Sequence, residues 1–366
     1  MIKIAIDARM INHSGIGTYM KNLLNVLIVD YHLVLLGIPS EIQKHINSDK
    51  IDIIEFNSPI YSISEQIIFP AKIPNCDIFL SPHYNIPLFP IKAKRRVVII
   101  NDANHLAFYN QLSFKQKLYS KFMMKAAVSI SDKIITISEF SKSEILKYLN
   151  VDTKKISVVH FGIDPSIIES ELHYIPSFNN IPDKFLLYVG NIKPHKNLIN
   201  LLKAFEIILS SHSDYKLIIV GKKEGFITGD NEVFKMVENN RLLNDNIIFT
   251  GYIENRELYN YYKSASLFVF PSLYEGFGIP PLEAMICGCP VIASDITAIP
   301  EICGDAILYV NPFEPNDIAE KVNILIDNKN LRDEFIIKGK LQVSKFSLAK
   351  FSYNLKEVIK EVINKG

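Results

Sequence analysis

Tryptophan is absent from this sequence of 366 residues, cysteine is rare, and neither charge dominates. Lysine and arginine number 40 against 39 aspartates and glutamates, which leaves a formal net charge of +1. Because proteins that bind nucleic acid usually carry a broad basic field, we expect no nucleic-acid partner. The cysteines form neither a C-x-x-C pair nor a dense framework, which is typical of reduced thiols in a cytoplasm. They are Cys76, Cys287, Cys289 and Cys303.

Long apolar runs and processing signals are also missing. No uninterrupted apolar stretch approaches the roughly 18 residues that would span a bilayer. Residues 1–7 run directly into a strand pattern, without the charged start, apolar stretch and cleavage site of a signal peptide. Hydrophobic residues make up 48% of the chain, which excludes wholesale disorder. We therefore expect a soluble, cytoplasmic protein.

Short β-branched runs alternate with longer helical patterns over almost the whole chain. This alternation is typical of parallel sheets covered by helices on both faces. The predicted strands are 2–6, 33–36, 51–56, 78–80, 97–100, 134–137 and 156–159, then 185–189, 217–220, 247–249, 267–270, 291–293 and 307–309. The clearest helical patterns are 18–29, 114–129 and 142–149.

The repeated rhythm predicts two doubly wound α/β domains. Residues 164–183 contain three prolines and little periodicity, which indicates a linker with a boundary near residue 175. We expect Rossmann-like domains over 1–175 and 176–345, and a helix over 346–366 that could cover either half. Ligands of open parallel sheets bind beyond the carboxyl ends of the strands, so two facing sheets would form one cleft for function.

The first candidate loop follows the first predicted strand. Gly15-Ile16-Gly17 opens a helix, where backbone N–H groups and the helix dipole favour a phosphate. A dinucleotide fingerprint is an alternative, but Met20 stands where its third glycine belongs and the loop before Gly15 is too long. A plain flexible turn is the other alternative.

The second candidate loop lies between the strand 185–189 and a helix that opens near Asn197. Lys193, His195 and Lys196 place three potential cations where a leaving diphosphate could be neutralised. Solvated surface lysines are the alternative.

The third candidate segment carries two glutamates. Gly276 and Gly278 forbid a continuous helix, while Pro281 fits a first helical position. We therefore expect Glu275 on a glycine loop and Glu283 in a first helical turn. A carboxylate accepts hydrogen bonds from two vicinal hydroxyls, so one suits a sugar and the other a ribose. For Glu283, complementing the helix dipole is a competing role.

Together these segments resemble the retaining nucleotide-sugar glycosyltransferases of family 4, which have the GT-B fold. The similarity covers nearly the whole chain in the expected order. The main matches are Gly15-Ile16-Gly17, residues 189–197 and Glu275-Gly276-Phe277-Gly278 through Glu283. Supporting matches are residues 137–141, 162–164, 288–294 and 300–301.

The resemblance implies a role for each matching position. The glycine turn would approach the donor phosphates, Lys196 would neutralise the diphosphate, Glu275 would hold the transferred sugar and Glu283 the ribose. Residues 77–84 resemble the strand and loop of the family's active-site histidine, which makes His83 the candidate, although a loop histidine is more often a surface residue. The implied catalytic residues are His83, Lys196 and Glu275. The implied donor-binding residues are Gly15, Ile16, Gly17, Asn191, Lys193, His195, Lys196, Glu275, Gly276, Phe277, Gly278 and Glu283.

Three positions depart from the family pattern. Asn191 stands where many relatives place an arginine, and His195 replaces the arginine of a Pro-Arg-Lys-Asn run. Histidine is mostly neutral at neutral pH, so neutralisation would depend more on Lys193 and Lys196.

The third departure lies in a stretch that usually has the sequence Ile-His-Asp in the family. Asn101 replaces its histidine, which leaves Asp102 and His105 as candidates for binding the acceptor.

The implied activity is retaining transfer of a hexose to a hydroxyl of a growing, lipid-linked surface glycan such as O-antigen or capsule. Residues 6–9 and 15–19 look most like the mannosyltransferase branch, so GDP-mannose is the expected donor. No D-x-D sequence and no His/Cys cluster at ligand spacing is present, and we expect neither metal nor cofactor. A sugar-nucleotide epimerase and a non-catalytic nucleotide-sugar-binding partner are the alternatives; a pyridoxal-dependent phosphorylase fits less well.

A basic amphipathic face in the first half suggests peripheral binding to an anionic membrane on its cytoplasmic side. One group of cations, near Phe89, is Lys92, Lys94, Arg95 and Arg96. The other, Lys115, Lys117, Lys121 and Lys125, interleaves with Phe114, Leu118, Tyr119, Phe122, Met123 and Met124. The alternative is a helix whose apolar stripe packs on its own sheet.

Overall fold

The computed structural model describes residues 1–13, 15–109, 113–163, 181–221 and 231–364. These residues form two compact units. The N-terminal unit comprises residues 1–162 and the helix Leu348–Asn364, and the C-terminal unit comprises Ile163–Ser347. The predicted boundary near residue 175 lies outside the described residues.

A parallel sheet of seven strands forms the N-terminal unit. The strands are β1 (Lys3–Asp7), β2 (His32–Gly37), β3 (Ile51–Glu55), β4 (Cys76–Ser81), β5 (Ala93–Ile99), β6 (Lys133–Thr136) and β7 (Ile156–Val158). Their order is β3-β2-β1-β4-β5-β6-β7, so the order reverses between β1 and β4. At such a switch point the loops that leave neighbouring strands diverge and make room for a ligand.

Both faces of this sheet are covered. Ala5 and Ile6 follow each other in β1 and so point to opposite faces, yet both are fully buried. A parallel sheet with helices on both faces explains why its strands read as continuous apolar runs. The helices are Ile16–Leu27, Pro39–Ile42, Ile63–Lys72, Asn104–Ala107, Phe114–Ile130, Glu139–Tyr148 and Leu348–Asn364, with a 3-10 turn at Thr153–Lys155.

The local sequence explains where these helices begin. Phe114–Ile130 starts at the predicted residue because Ser113 and Gln116 form a capping box. Glu139–Tyr148 starts three residues before the predicted 142, because the Ser138 hydroxyl accepts a hydrogen bond from Ser141 N at 2.9 Å. Apolar periodicity alone detects a helix only after its cap.

A parallel sheet of six strands forms the C-terminal unit. The strands are β8 (Phe185–Val189), β9 (Lys216–Val220), β10 (Ile247–Gly251), β11 (Leu267–Phe270), β12 (Val291–Ser294) and β13 (Leu308–Val310). Their order, β10-β9-β8-β11-β12-β13, reverses between β8 and β11. Each predicted strand overlaps an observed one, and the prediction of two Rossmann-like parallel-sheet domains is confirmed.

Helices also surround the second sheet. They are Leu198–Leu209, Asn231–Glu238, Arg241–Asn246, Asn255–Ser264, Ile279–Ile286, Ile299–Cys303, Pro315–Asp327 and Lys329–Val343, with 3-10 turns at Pro194–Lys196 and Ser344–Phe346.

The helix Ile279–Ile286 begins earlier than predicted. Gly278, at φ 108°, is its N-cap, so Pro281 is the third helical residue and not the first. A proline in the first turn displaces no helical hydrogen bond, so Pro280 is accommodated there as well. Glu283 consequently lies in the second turn, and its predicted placement in the first turn was wrong.

The helix Leu348–Asn364 completes the N-terminal unit. The ring of Phe351 lies 5.7 Å from that of Tyr19 and 6.4 Å from that of Phe161. Glu361 pairs with Lys133 at 2.8 Å, and this lysine side chain is only 4% exposed. Across the described part of the chain, every helix is too short or too polar to cross a membrane.

Candidate functional site

The switch point of the C-terminal unit brings two of the predicted loops together. Residues 190–197 leave β8, and residues 271–278 leave the neighbouring β11. The carbonyl of His195 accepts hydrogen bonds from Leu273 N at 2.7 Å and from Ser272 Oγ at 3.1 Å. The two loops are therefore joined through their backbones.

Asn197 fixes the start of the helix that follows. It adopts the left-handed conformation (φ 62°), which asparagine tolerates better than most residues. Its buried Nδ2 donates to the carbonyls of Pro271 at 3.0 Å and Pro312 at 2.6 Å. The helix begins at Leu198, as the sequence predicted, and the buried amide, which the sequence pattern did not indicate, links the two loops.

The central feature of this site is an ion pair between Lys196 and Glu275. Their Nζ and Oε1 atoms lie 2.5 Å apart, and the two side chains are 17% and 13% exposed. The ammonium also lies 5.4 Å from the ring centroid of Phe270. Because the pair is largely removed from water, its charges interact more strongly than they would at the surface. One cation and one anion thus meet where two loops converge.

His195 does not add a charge to this pair. Burial and, to a smaller extent, the nearby ammonium groups of Lys196 and Lys193 together lower the pKa of His195 to about 3. The imidazole is therefore neutral at neutral pH, and of the three potential cations only the lysines are charged. Asn191 and Lys193 are half-buried in the same loop.

Glu283 is held by a residue that we did not predict. Tyr262 OH, from the helix Asn255–Ser264, donates to Glu283 Oε2 at 3.1 Å. Burial raises the pKa of Glu283 to about 7, and the tyrosine hydrogen bond opposes this increase. The neutral form of this carboxyl group is consequently favoured much more than it would be in water.

The glycine loop around Glu275 has a structural component. The ring of Phe277 is buried and lies 5.6 Å from that of Phe346, edge to face. A Cβ on Gly278 would come within 2.8 Å of the Ile299 side chain, in addition to the strain at its positive φ. Gly276 is also buried.

The glycine turn of the N-terminal unit also has a structural explanation. A Cβ on Gly17 would lie 2.4 Å from the carbonyl oxygen of Ile11, and Gly17 N donates to the carbonyl of His13 at 2.8 Å. Gly15 takes a φ of 77°, with open space where a side chain would stand. Gly17 is therefore required by packing, whereas exposed Gly15 and half-buried Ile16 border solvent. Ser14 lies outside the described residues.

His83 lies beyond β4, at the switch point of the N-terminal unit. Its Nδ1 accepts a hydrogen bond from Asn85 N at 3.2 Å, and its Nε2 lies 3.5 Å from Tyr61 OH. Its ring centroid is 4.0 Å from that of Tyr84. Burial lowers the pKa of His83 to about 3, with smaller contributions from His105 and His13. The imidazole is neutral.

The two acceptor candidates differ in their surroundings. The ring of His105 lies 5.6 Å from that of Tyr84, so His105 is near His83. Asp102 Oδ1 accepts from Asn104 N at 2.9 Å and so supports a local turn. Among the described residues, buried Asn101 Oδ1 accepts no hydrogen bond.

A buried charge network lies beside His83. The guanidinium of Arg9 pairs with Asp7 at 2.6 Å and with Glu65, and stacks over Phe69 at 4.6 Å from the ring centroid. Both Arg9 and Glu65 are missing from the predicted site. Metal-binding clusters of three or more His, Cys, Asp or Glu side chains are not found in the described ranges.

Solved structures of the GT-B type share this fold of two parallel-sheet domains. HepE from Anabaena, in a structure with UDP and glucose, superposes with a TM-score of 0.77 at 15% identity, covering 99% of this chain and all of that one. Sucrose-phosphate synthase from Thermosynechococcus elongatus gives 0.77 at 16% identity, covering 100% of both chains.

Sequence comparison identifies the family. Residues 15–167 match Glycosyltransferase Family 4, and residues 175–342 match Glycosyl transferases group 1. O-antigen chain mannosyltransferase B of Escherichia coli is 28% identical over 74% of this chain and 70% of its own length. RfbU of Salmonella typhimurium, an O-antigen chain mannosyltransferase, is 32% identical over 69% of this chain and 66% of its own length. The chain therefore belongs to the mannosyltransferase-like glycosyltransferases of family 4, with the GT-B fold.

Proposed function

We propose that this glycosyltransferase moves mannose, with retention of configuration, from GDP-mannose to a hydroxyl of a lipid-linked glycan of the O-antigen or capsule type. The observation that carries the proposal is the ion pair of Lys196 and Glu275 at the C-terminal switch point. The mannosyltransferase relatives support the choice of sugar, and their names support the class of acceptor.

The donor would separate the two partners of this pair. The diphosphate would take the ammonium of Lys196, and Glu275 would then be free to accept hydrogen bonds from sugar hydroxyls. The ionised carboxylate of Glu283 would accept hydrogen bonds from the two ribose hydroxyls. Among the other predicted donor contacts, Lys193 would add positive charge, whereas neutral His195 would contribute hydrogen bonding only.

Stabilisation of the leaving group would be the main catalytic effect. Glycosyl transfer passes through an oxocarbenium-like state while negative charge grows on the departing diphosphate, so a fixed cation lowers the barrier. In front-side attack the donor phosphate would take the proton of the acceptor hydroxyl. Because lysines supply the positive charge, we propose that no metal or cofactor takes part, and we expect EDTA to leave the rate unchanged.

A panel of nucleotide sugars tests this function. The purified protein is incubated with GDP-mannose, GDP-fucose, UDP-glucose or UDP-N-acetylglucosamine and a lipid-linked acceptor, and the anomeric configuration of the product is read by NMR. We expect an α-mannoside from GDP-mannose only. Transfer from another donor contradicts the choice of mannose, and no product with any donor contradicts the activity. Epimerised sugar formed without acceptor would support the epimerase instead.

We also propose that the N-terminal unit binds an anionic membrane peripherally. The helix Phe114–Ile130 has a buried apolar face and a second, exposed one. The buried face is formed by Met123, Met124, Ala127 and Val128. Phe114, Leu118 and Phe122 are 74%, 56% and 59% exposed. The exposed stripe consists of these last three side chains, spaced four residues apart, and therefore cannot be explained by packing on the sheet.

The charges near this stripe favour anionic lipid. Lys115, Lys117, Lys121 and Lys125 belong to the same helix. The second basic group suits the role less well, because Lys94 and Arg95 pair with Asp77 and Asp132, and Arg96 donates to the carbonyls of Pro87 and Phe89.

Sedimentation with vesicles tests membrane binding. We expect the protein to pellet with phosphatidylglycerol vesicles at low salt, less at high salt, and little with phosphatidylcholine alone. Changing Phe114, Leu118 and Phe122 together to serine should abolish pelleting. Ile337→Ser with Leu341→Ser, at exposed positions in the C-terminal unit, is the matched control and should pellet as the parent does. Equal pelleting of both variants, or none with any lipid, refutes the proposal.

A further inference from the structure

The buried carboxylate of Glu65 connects three segments of the N-terminal unit. It is fully buried, and it accepts hydrogen bonds from Arg9 Nη2, from Tyr61 N at 2.9 Å and from Asn85 Nδ2 at 2.8 Å. The donors lie after β1, before the helix Ile63–Lys72 and after β4. Since an apolar cluster often gives as much stability as a buried ion pair, stability alone does not explain this arrangement.

Asn85 links the carboxylate of Glu65 to His83 through two hydrogen bonds. Its side chain, 2% exposed, donates to Glu65 and accepts a hydrogen bond from Tyr119 OH. With both ends of the amide fixed, its backbone N–H points at His83 Nδ1. A neutral imidazole that accepts at Nδ1 must carry its proton on Nε2.

Glu65 also fixes the group that faces this proton. Tyr61 OH lies 3.5 Å from His83 Nε2, and Tyr61 has a φ of 70°, in the left-handed region that non-glycine residues rarely adopt. Its backbone N–H donates to Glu65. One carboxylate thus orients both the residue that sets the tautomer of His83 and the residue that faces its Nε2.

We propose that Glu65 is a positioning residue that acts through Asn85 to hold His83 as a hydrogen-bond donor at Nε2. This role rests on the proposed function and on the active-site role that the family resemblance implies for His83. A neutral Nε2–H donates to a sugar or phosphate oxygen and accepts no proton, so His83 stabilises the donor and does not act as the base. Loss of Glu65 would release Asn85, and the imidazole could then rotate or change tautomer.

The first test is Glu65→Gln, an isosteric change. No orientation of the amide accepts from all three donors, because one of its two ends is itself a donor. Since small misplacements of reacting groups cost large factors in rate, we expect kcat to fall at least about tenfold, with KM for the donor within about twofold of the parent. Glu144→Gln is the matched control, at another buried glutamate that pairs with Lys147, and it should leave kcat unchanged.

A double-mutant cycle separates this role from a general loss of stability. If Glu65 acts through His83, Glu65→Gln should add almost nothing to the loss caused by His83→Ala. Losses in kcat that multiply would overturn the proposal. Tyr119→Phe removes the hydrogen bond from Tyr119 OH to the Asn85 amide oxygen and provides the same test if Glu65→Gln fails to fold. If the decreases in kcat caused by Tyr119→Phe and His83→Ala multiply, the positioning role is refuted as well.

The tautomer is measured independently of activity. Two-bond 1H–15N NMR spectra of the histidine rings distinguish Nε2–H from Nδ1–H imidazole in the resting protein. We expect Nε2–H for His83 in the parent and a mixture of forms in Glu65→Gln. An Nδ1–H parent, or an unchanged tautomer in the variant, refutes the positioning role. Failure of the parent to consume any nucleotide sugar contradicts the proposed function while leaving this spectrum readable.

Discussion

Replacing Lys196 by methionine removes the ammonium and keeps an unbranched side chain of similar length. In the resting protein this leaves the carboxylate of Glu275, only 13% exposed, without its ion-pair partner. An unpaired polar group at such a site costs about 1–3 kcal/mol, and we expect the free energy of unfolding to fall by this amount. Loss of one well-aimed group from the leaving-group site raises the barrier by about 2.7–4 kcal/mol, which lowers kcat roughly 10²–10³-fold.

The double variant Lys196→Met with Glu275→Gln separates these two effects. It restores charge neutrality, so we expect stability to return close to that of the parent, whereas kcat should stay low because both donor contacts are changed. Chemical denaturation gives the free energy of unfolding, and release of the nucleoside diphosphate gives kcat. Lys184→Met, at an exposed lysine that pairs with Asp214, is the control and should affect neither quantity by much. The reasoning is refuted if Lys196→Met keeps near-parental kcat, or if the double variant regains it.

Three further predictions concern stability. Burial raises the pKa of Glu283 from 4.5 to about 7, so between these pH values the folded protein retains a proton that the unfolded chain releases. The contribution of this proton to the free energy of unfolding is complete below the unfolded pKa and is lost as pH rises towards 7. Glu283→Gln stays neutral at every pH, so in thermal unfolding it should match the parent near pH 4 and be more stable by up to about 3 kcal/mol near pH 8. A stability difference that does not change with pH contradicts the raised pKa of Glu283. Gly17→Ala should lower the free energy of unfolding by about 1–3 kcal/mol, because its Cβ would lie 2.4 Å from the carbonyl oxygen of Ile11. Gly15→Ala should cost less, and denaturation curves that show the reverse order would contradict the packing explanation. Asn197→Ala removes two amide hydrogen bonds and the side chain that tolerates a φ of 62°. We expect the free energy of unfolding, measured by urea denaturation, to fall by about 2–4 kcal/mol. A decrease below about 0.5 kcal/mol would show that other contacts hold the two loops together.

Much of the fold could be predicted because its signals are local. Continuous apolar runs such as β8 (Phe185–Val189) mark strands buried on both faces, and each of them overlaps an observed strand. Helix starts were less predictable where a cap precedes the apolar pattern, as at Ser138. The error at Glu283 has a different origin: we expected Pro281 at the first helical position, whereas Gly278 is the N-cap and the helix begins at Ile279.

The candidate site was only partly predictable, because its partners are distant in the chain. Lys196 and Glu275 are separated by 79 positions, and only their place after neighbouring strands links them. Glu65 gave no local signal: an acidic residue in a first helical turn is commonly solvated, whereas here it accepts bonds from Arg9, 56 positions away, and from Asn85. The bond from Tyr262 to Glu283 depends on how two helices pack, which periodicity does not specify.

The return of the helix Leu348–Asn364 to the N-terminal unit affects the order of events during synthesis. A ribosome makes all of Ile163–Ser347 before it makes this helix, so the second sheet can fold while the first still lacks part of its cover. Until then Lys133 has no acidic partner from Glu361, and Tyr19 and Phe161 have no Phe351 against them. Although the N-terminal unit begins first, it is the last to be finished on the ribosome.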